Sequence, residues 1–298
     1  MQTRRSRCLF IVLSLYCAIS NAASEDMNRL IIASSELMVR TVAGRGYDRG
    51  SSFSEPLVYG QNTLQPSNSG KTMCVAAVAE AVIRAMQAHS EETGNKRMYS
   101  DLPIVHWTKG ALGNLRAHLY QYEGANSRGP GDAFERFGIG EKVPFEKLLP
   151  GDLLAFSRRK SGHAVVFLGY LDRQGKSIDV FDASRVVGFR YMSSQGQGLP
   201  VSGIGYRNAY FLGVQGPYRC DRNVEDCGVL RRPSDYLNGG RLWIPERWKT
   251  AEAARRLRDV YLADATRKNP TLTRGAAEIA VEQLLLRELP EKYSVDFE

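Results

Sequence analysis

The sequence predicts an α+β fold, in which helices come first along the chain and an antiparallel sheet follows. Before residue 138, apolar side chains recur at the three- and four-residue spacing of helices. From Val143 onward they form short extended runs separated by turns, and helices followed by such a meander define the α+β class. The 298 residues, 43% hydrophobic and 24% charged, are typical of one large domain or a core domain with an appendage.

Residues 1–23 have the features of a cleavable secretory signal. Arg4, Arg5 and Arg7 precede an apolar run over residues 8–19, and the small residues of 20–23 suit a cleavage site. The run is too short to span a bilayer, and no other comparable run exists. The sequence therefore predicts a periplasmic or secreted protein without an integral membrane segment after signal cleavage.

The charge balance is mildly basic. The whole chain carries a net charge of +8, and the signal removes three arginines and no acids, which leaves about +5. Such a protein can bind an anionic polymer, for example a bacterial cell wall. Its basic residues are scattered and no aromatic-basic motif occurs, so nucleic acid is not an expected partner.

The cysteine count singles out one thiol. Once Cys8 and Cys17 leave with the signal, three cysteines remain. Cys220 and Cys227 lie close together in a loop-like stretch and are the natural disulfide pair in an oxidising compartment. Cys74 is then left over, and a leftover thiol in an exported protein is a candidate for reactivity. No His or Cys lies at zinc-ligand spacing, so no metal site is predicted.

Cys74 falls in the first turn of a predicted buried helix that ends near His89, with Thr72 as its N-cap. The partial positive charge of a helix N-terminus stabilises a thiolate, which is the reactive form of cysteine. The alternative is that Cys74 is a small buried apolar residue. The apolar face of this helix consists of Val75, Val78, Val82, Ile83 and Met86.

The remaining pattern divides the chain into five parts. They are the signal peptide (1–23), an N-terminal helical segment (24–56, with a helix over 27–42), a core domain (57–215), a disulfide-clamped loop region (216–248) and a helical C-terminal extension (249–298). Predicted helices cover 109–120, 132–137, 251–265 and 274–288. Predicted strands cover 57–60, 153–156, 163–170, 177–181, 189–192 and 208–214, and 239–245 is a loop or edge strand.

Three sequence blocks follow Cys74 in a characteristic order. Residues 149–156 read Leu-Pro-Gly-Asp-Leu-Leu-Ala-Phe, 162–169 read Gly-His-Ala-Val-Val-Phe-Leu-Gly, and 180–184 read Val-Phe-Asp-Ala-Ser. Together with Cys74 they resemble the NlpC/P60 and CHAP group of cell-wall cysteine peptidases and amidases, a compact branch of the papain-like folds. The resemblance covers residues 57–215 and implies a papain-like core with N-terminal helices packed on an antiparallel sheet.

The chemistry of a cysteine nucleophile explains this order. A thiol needs a base within hydrogen-bond reach, and the base needs a third group to orient it. The predicted roles are nucleophile for Cys74, general base for His163 and orienting group for Asp182. The alternatives are that His163 is a structural histidine and that Asp182 is a turn residue.

The oxyanion of the intermediate would be met by the backbone N–H of Cys74 and one further donor. The resemblance suggests Tyr59 for that donor, since the family often has a Tyr-Gly stretch shortly before its cysteine. The alternative is that Tyr59 is a core or edge residue. The sequence departs from the family in two places. Met73-Cys74-Val75-Ala76 stands where the family usually has Asp-Cys-Ser-Gly, and the residue predicted to orient the histidine is Asp where the family often has His, Asn or Glu.

The predicted function is an exported cysteine hydrolase that cleaves an amide or peptide bond, with bacterial peptidoglycan or a peptide as the substrate. No metal or organic cofactor is implied. Two other functions stay open. One is a non-catalytic periplasmic binding or scaffold module on the same fold, and the other is a Cys–His acyl or amide transferase that acts on a different substrate.

Overall fold

The computed structural model describes residues 25–108, 114–120, 129–157, 162–196, 202–213, 220, 225–231, 237–269, 273 and 275–276. It is a mixed structure of helices and sheet, which confirms the α+β class. The helices are α1 (Asn28–Val42), α2 (Cys74–Thr93), α3 (Met98–Asp101), α4 (Leu115–His118), α5 (Pro130–Phe137) and α6 (Thr250–Lys268). The strands are β1 (Leu57–Tyr59), β2 (Asn62–Leu64), β3 (Gly140–Val143), β4 (Leu153–Ser157), β5 (Gly162–Leu171), β6 (Ser177–Ile178), β7 (Gly188–Gln195), β8 (Gly203–Phe211), β9 (Asp226–Val229) and β10 (Leu237–Leu242).

One large sheet organises the described chain. Its strand order is β3-β10-β4-β5-β7-β8-β9, with β6 paired to one end of β5. All neighbours are antiparallel except β8 and β9, which run parallel. Strands β1 and β2 form a separate two-stranded hairpin.

The two faces of the sheet carry different cores. Helices α1 and α2 pack on one face, where Ala164, Val166 and Met192 join the larger apolar cluster. The opposite face is rich in aromatic rings that pack edge to face, including Phe156, Phe189 and Tyr191. Because side chains alternate along a strand, each residue of β5 belongs to one face or the other.

Helix α2 forms because a run of alanine and β-branched residues lets it approach the sheet closely. Its alanines are 0% exposed on the side that faces the core, among them Ala77 and Ala81. The helix ends at Gly94, which adopts a left-handed φ of 74°, as is common at helix C-termini. At the N-terminus the cap position is Met73 and has no side-chain hydrogen bond, so the predicted N-cap at Thr72 is wrong by one residue.

Several strands differ from the sequence prediction, since β2, β3 and β9 were not predicted and β8 covers Gly203–Phe211 instead of 208–214. The sequence predicts a loop or edge strand over 239–245, but Leu237–Leu242 is an inner strand between β3 and β4. Glycines allow this, because a Cβ at Gly239 would lie 2.5 Å from the carbonyl oxygen of Val143, and one at Gly240 would lie 2.7 Å from the main chain at Gly131. In addition, β6 ends at Ile178, so residues 179–187 are not paired as a strand.

Some predicted segments lie outside the described residues. These are the signal peptide at 1–23, the first part of the helix at 109–120 and nearly all of the helix at 274–288. Among the helices that the structure describes, none is both long and apolar enough to span a membrane.

Candidate functional site

Cys74 is the first residue of α2, as the sequence predicts for a thiol at a helix start. Its side chain is 6% exposed and takes no part in a disulfide. The helix runs 20 residues from this point, long enough for its N-terminus to carry the partial positive charge of the macrodipole. A helix N-terminus stabilises a thiolate, whereas burial in an apolar cluster such as the one that contains Cys74 opposes it.

Two serine hydroxyls join the start of α2 to the start of β5. Ser194 of β7 donates through Oγ to the carbonyl oxygen of Thr72 at 3.0 Å. Ser193 donates through Oγ to the carbonyl oxygen of Ala164 at 2.7 Å. Cys74 and His163 therefore lie near the same end of the sheet, on two neighbouring elements.

The His163 side chain is on the aromatic face of the sheet. Its ring packs edge to face against Phe156, with centroids 5.4 Å apart, and against Tyr191, with centroids 5.7 Å apart. Ala164, the next residue, faces α2 and Cys74 instead. The structure thus places His163 near the end of the sheet at which α2 begins, but directs its ring to the face opposite the α2 packing surface. The side chain is 3% exposed.

Asp182 is not brought to His163. It lies in a turn where its carboxylate accepts hydrogen bonds from the backbone N–H and the hydroxyl of Ser184, at 2.9 and 2.6 Å, and these bonds hold the pKa of Asp182 below its usual value. The chain then rejoins β5 at its far end, where Val187 N–H donates to the carbonyl oxygen of Leu171 at 2.9 Å. Eight residues of extended strand, about 25 Å, separate Leu171 from His163. Asp182 is therefore a turn residue in this structure.

The Tyr59 hydroxyl is not available as a hydrogen-bond donor to an oxyanion. It is 2% exposed, and its ring packs against Tyr99 and Trp107. Its hydroxyl donates to the carbonyl oxygen of Leu102, which uses the single proton that a phenol has to give. Burial raises the pKa of Tyr59 well above its ordinary value. The alternative reading, a core residue, describes its position.

The Pro-Gly-Asp turn at residues 150–152 holds neighbouring elements together through the Asp152 carboxylate. Asp152 is 0% exposed and accepts from Arg241 Nη2 at 2.7 Å, from Asn28 Nδ2 at 2.9 Å and from the backbone N–H of Leu149 at 2.8 Å. Gly151 has a φ of 97° and lies directly against the backbone of α1. This turn therefore joins the first helix, the inner strand β10 and the start of β4.

The predicted disulfide between Cys220 and Cys227 is confirmed, with the two Cα atoms 5.7 Å apart. Cys227 lies on β9, the strand at one edge of the sheet. A disulfide at this position is consistent with a secreted protein.

Sequence reasoning missed a second group of polar residues beside His163. Tyr191, Arg207 and Asp226 are each 8% exposed or less. Tyr191 lies directly opposite Arg207 in the antiparallel register, and the Tyr191 hydroxyl donates to the Asp226 carboxylate. The three residues come from different strands, so only the strand register brings them together. The spacing of Phe189 and Tyr191, two buried rings on one face of β7, is the one local signal.

No protein-family description, no curated protein and no solved structure matches this chain. Among the residues that the structure describes, no three His, Cys, Asp or Glu side chains are grouped as metal ligands would be.

Proposed function

We propose that the chain is an exported cysteine hydrolase with a papain-like, NlpC/P60-type core, and that it cleaves an amide or peptide bond, with peptidoglycan as the substrate class. The observation that carries the proposal is the arrangement at one end of the sheet. A thiol begins the buried helix α2, and a histidine lies at the start of the strand β5 beside it. Ser193 and Ser194 tie these two elements together.

His163 is the second residue of β5 and its ring lies on the aromatic face, so the proposed reaction requires the end of this strand to turn the ring toward Cys74. In the proposed reaction, the Cys74 sulfur attacks the carbonyl carbon while His163 accepts the thiol proton. The negative charge that forms on the carbonyl oxygen faces the N-terminus of α2, where the Cys74 backbone N–H is a donor.

Collapse of this intermediate breaks the carbon–nitrogen bond, and His163 gives its proton to the departing amine. A water molecule then attacks the thioester, with His163 again as the base, and Cys74 is released as the thiol. Asp182 has no role in this scheme, because it lies at the other end of β5.

The test is digestion of purified peptidoglycan by the mature protein, with released fragments read by mass spectrometry. Cys74→Ala and His163→Ala should each abolish release, and Asp182→Asn should release the same fragments as the wild type. The Asp182→Asn variant is the matched control, because Asp182 accepts hydrogen bonds from Ser184 in a turn and takes no part in the proposed reaction. Release by Cys74→Ala equal to that by the wild type would refute the proposal.

A second candidate is a binding or scaffold module that uses the same fold without catalysis. The burial of both side chains favours it, since Cys74 is 6% and His163 is 3% exposed. A thiol without a basic partner reacts slowly at mildly acidic pH, whereas a thiolate–imidazolium pair alkylates rapidly there. Slow alkylation of Cys74 at pH about 5.5, together with retention of the protein on peptidoglycan, would favour this second function.

A further inference from the structure

We propose that Arg40, Lys71, Arg190 and Tyr206, together called the basic strip, form a surface that binds peptidoglycan through its free carboxylates. This inference rests on the proposed function for the identity of the polymer, and it concerns where that polymer docks. Its evidence is a set of exposed cations that the fold gathers on the side of the sheet against which α1 and α2 pack.

Tyr206 lies at the centre of the basic strip. It is 37% exposed on β8 and lies opposite Met192 in the register of β7 and β8. Because side chains alternate along a strand, Tyr206 shares the face of Ile204, which belongs to the same apolar cluster as Cys74. The basic strip therefore lies on the Cys74 side of the sheet and not on the aromatic face that holds the His163 ring.

Two arginines flank Tyr206. Arg190 of β7 places its guanidinium over the Tyr206 ring, with Cζ 5.5 Å from the centroid. Arg40 lies in the last turn of α1, close to the same tyrosine. Burial and the nearby Glu36 raise the pKa of Tyr206, whereas Arg190 and Arg40 lower it. Both arginines are exposed, and neither forms an ion pair with another described residue.

Lys71 extends the basic strip to the start of α2. It is exposed and precedes Cys74 by three residues. Its aliphatic stem lies against Gly46, where an added Cβ would be 3.5 Å from Lys71 Cγ, and Gly46 lies against Gly203, the first residue of β8. Gly203 and Tyr206 are three residues apart in this strand, which is about 10 Å. The basic strip therefore runs from the start of α2 along β8.

The charge and length of the basic strip fit an anionic polymer. Three exposed cations face one exposed carboxylate, Glu36, so the surface is positive. A surface that extends about 10 Å beyond Lys71 is longer than a single carboxylate, and it matches a chain that repeats its charges. The stem peptides of peptidoglycan carry free carboxylates along the glycan, and a guanidinium binds a carboxylate with two parallel hydrogen bonds. A strand held on the basic strip leads to the start of α2, where Cys74 lies.

The experiment is cosedimentation of the full mature chain with insoluble peptidoglycan sacculi. The chain carries Cys74→Ala, which prevents cleavage during the measurement. Binding should weaken as the salt concentration rises, since salt screens exposed charges. It should be lost on sacculi whose carboxylates have been converted to amides. Vesicles that contain phosphatidylglycerol are the comparison surface, because an anionic membrane also attracts cations, and they should not retain the protein.

Arg40→Gln, Lys71→Gln and Arg190→Gln each remove one cation and keep a long polar side chain. Each should raise the dissociation constant by about 1.5- to 5-fold, the range for one exposed ion pair, and the triple variant should raise it by about tenfold or more. Tyr206→Ala should weaken binding because it removes the ring beneath Arg190, whereas Tyr206→Phe keeps the ring and should bind unchanged.

The matched control is the triple variant Lys249→Gln, Arg255→Gln and Arg256→Gln. These exposed residues lie at the start of α6, which packs against α5 near the β3 edge of the sheet, and they give the same change in net charge. Binding to sacculi should be unchanged in this control. Far-ultraviolet circular dichroism and the melting temperature establish that each variant is folded.

The outcomes separate the two proposals. Unchanged binding by the triple variant of the basic strip, or an equal loss in the matched control, would overturn this inference and leave the proposed function standing. Retention on the vesicles but not on sacculi would overturn it in favour of a membrane surface. If the basic strip binds sacculi but the chain with Cys74 intact releases no fragments, the proposed function fails and the binding surface remains.

Discussion

His106 makes the stability of this protein depend on pH. Its ring packs against Phe137 with centroids 5.0 Å apart, and its Nδ1 atom is buried without a hydrogen-bond partner in the described part of the chain. Burial lowers the pKa of His106 from 6.5 to about 4, because the charged form loses its hydration. The native state therefore holds this histidine neutral under conditions in which the unfolded chain binds a proton.

The direction in which the free energy of unfolding changes with pH follows from proton linkage. The pKa of His106 is lower in the folded state, so between pH about 6.5 and 4 the unfolded chain binds more protons and acid favours unfolding. At pH 7 the effect is small. At pH about 4.5 the two pKa values give a loss of about 2.5 kcal/mol in the free energy of unfolding, and the loss is complete below the folded value.

The measurement is urea unfolding followed by tryptophan fluorescence at several pH values between 7 and 4.5. The variants are His106→Phe and His106→Gln, which both remove the titrating group but pack differently. At pH 7 each should lie within about 1.5 kcal/mol of the wild type. On going to pH 4.5, each should gain about 2.5 kcal/mol relative to the wild type, because groups that titrate in all three proteins cancel. A difference from the wild type that is the same at every pH would refute this reasoning.

Three further predictions concern the structure around the sheet. Gly151→Ala should cost about 2–4 kcal/mol, since its Cβ would lie 2.6 Å from the backbone of α1, whereas Gly44→Ala, with a similar positive φ and open space, should cost about 1 kcal/mol; equal costs in urea unfolding would contradict the steric argument. Asp152→Ala should cost about 3–5 kcal/mol, because it leaves Arg241 without its carboxylate, and the double variant with Arg241→Met should cost less than the sum of the single changes. Strict additivity would show that the two residues act independently. Reduction of the Cys220–Cys227 disulfide should lower the free energy of unfolding by about 2.5 kcal/mol, the value for a loop with a sequence separation of 7. An unchanged melting temperature in the presence of reductant would rule this out.

Local patterns were enough for much of the fold. Short apolar runs predicted β5 and β7, and the helical spacing predicted α1 and the position of Cys74 at the start of α2. The disulfide pair followed from compartment and spacing. These features depend on neighbours within a few residues, whose preferences a sequence displays directly.

The local sequence does not predict the inner strand Leu237–Leu242. Its glycines and an adjacent Trp-Ile-Pro run are typical of a loop or an edge, but they form an inner strand. Gly239 and Gly240 let this strand fit closely against β3 and α5. Contacts between segments so far apart in the chain cannot be predicted from the residues of the strand alone.

The sequence by itself determined the α+β class, the disulfide and the placement of Cys74 and His163 near the same end of the sheet, but not that their side chains lie on opposite faces of it. Only the tertiary structure decided the rest of the site. Because β7, and not the stretch around Asp182, pairs with β5 along its length, the predicted third residue lies beyond the end of β5 that is far from His163. The same pairing places Tyr191 beside His163. Strand register depends on the packing of whole faces, so one local motif does not determine which side chains meet across a sheet.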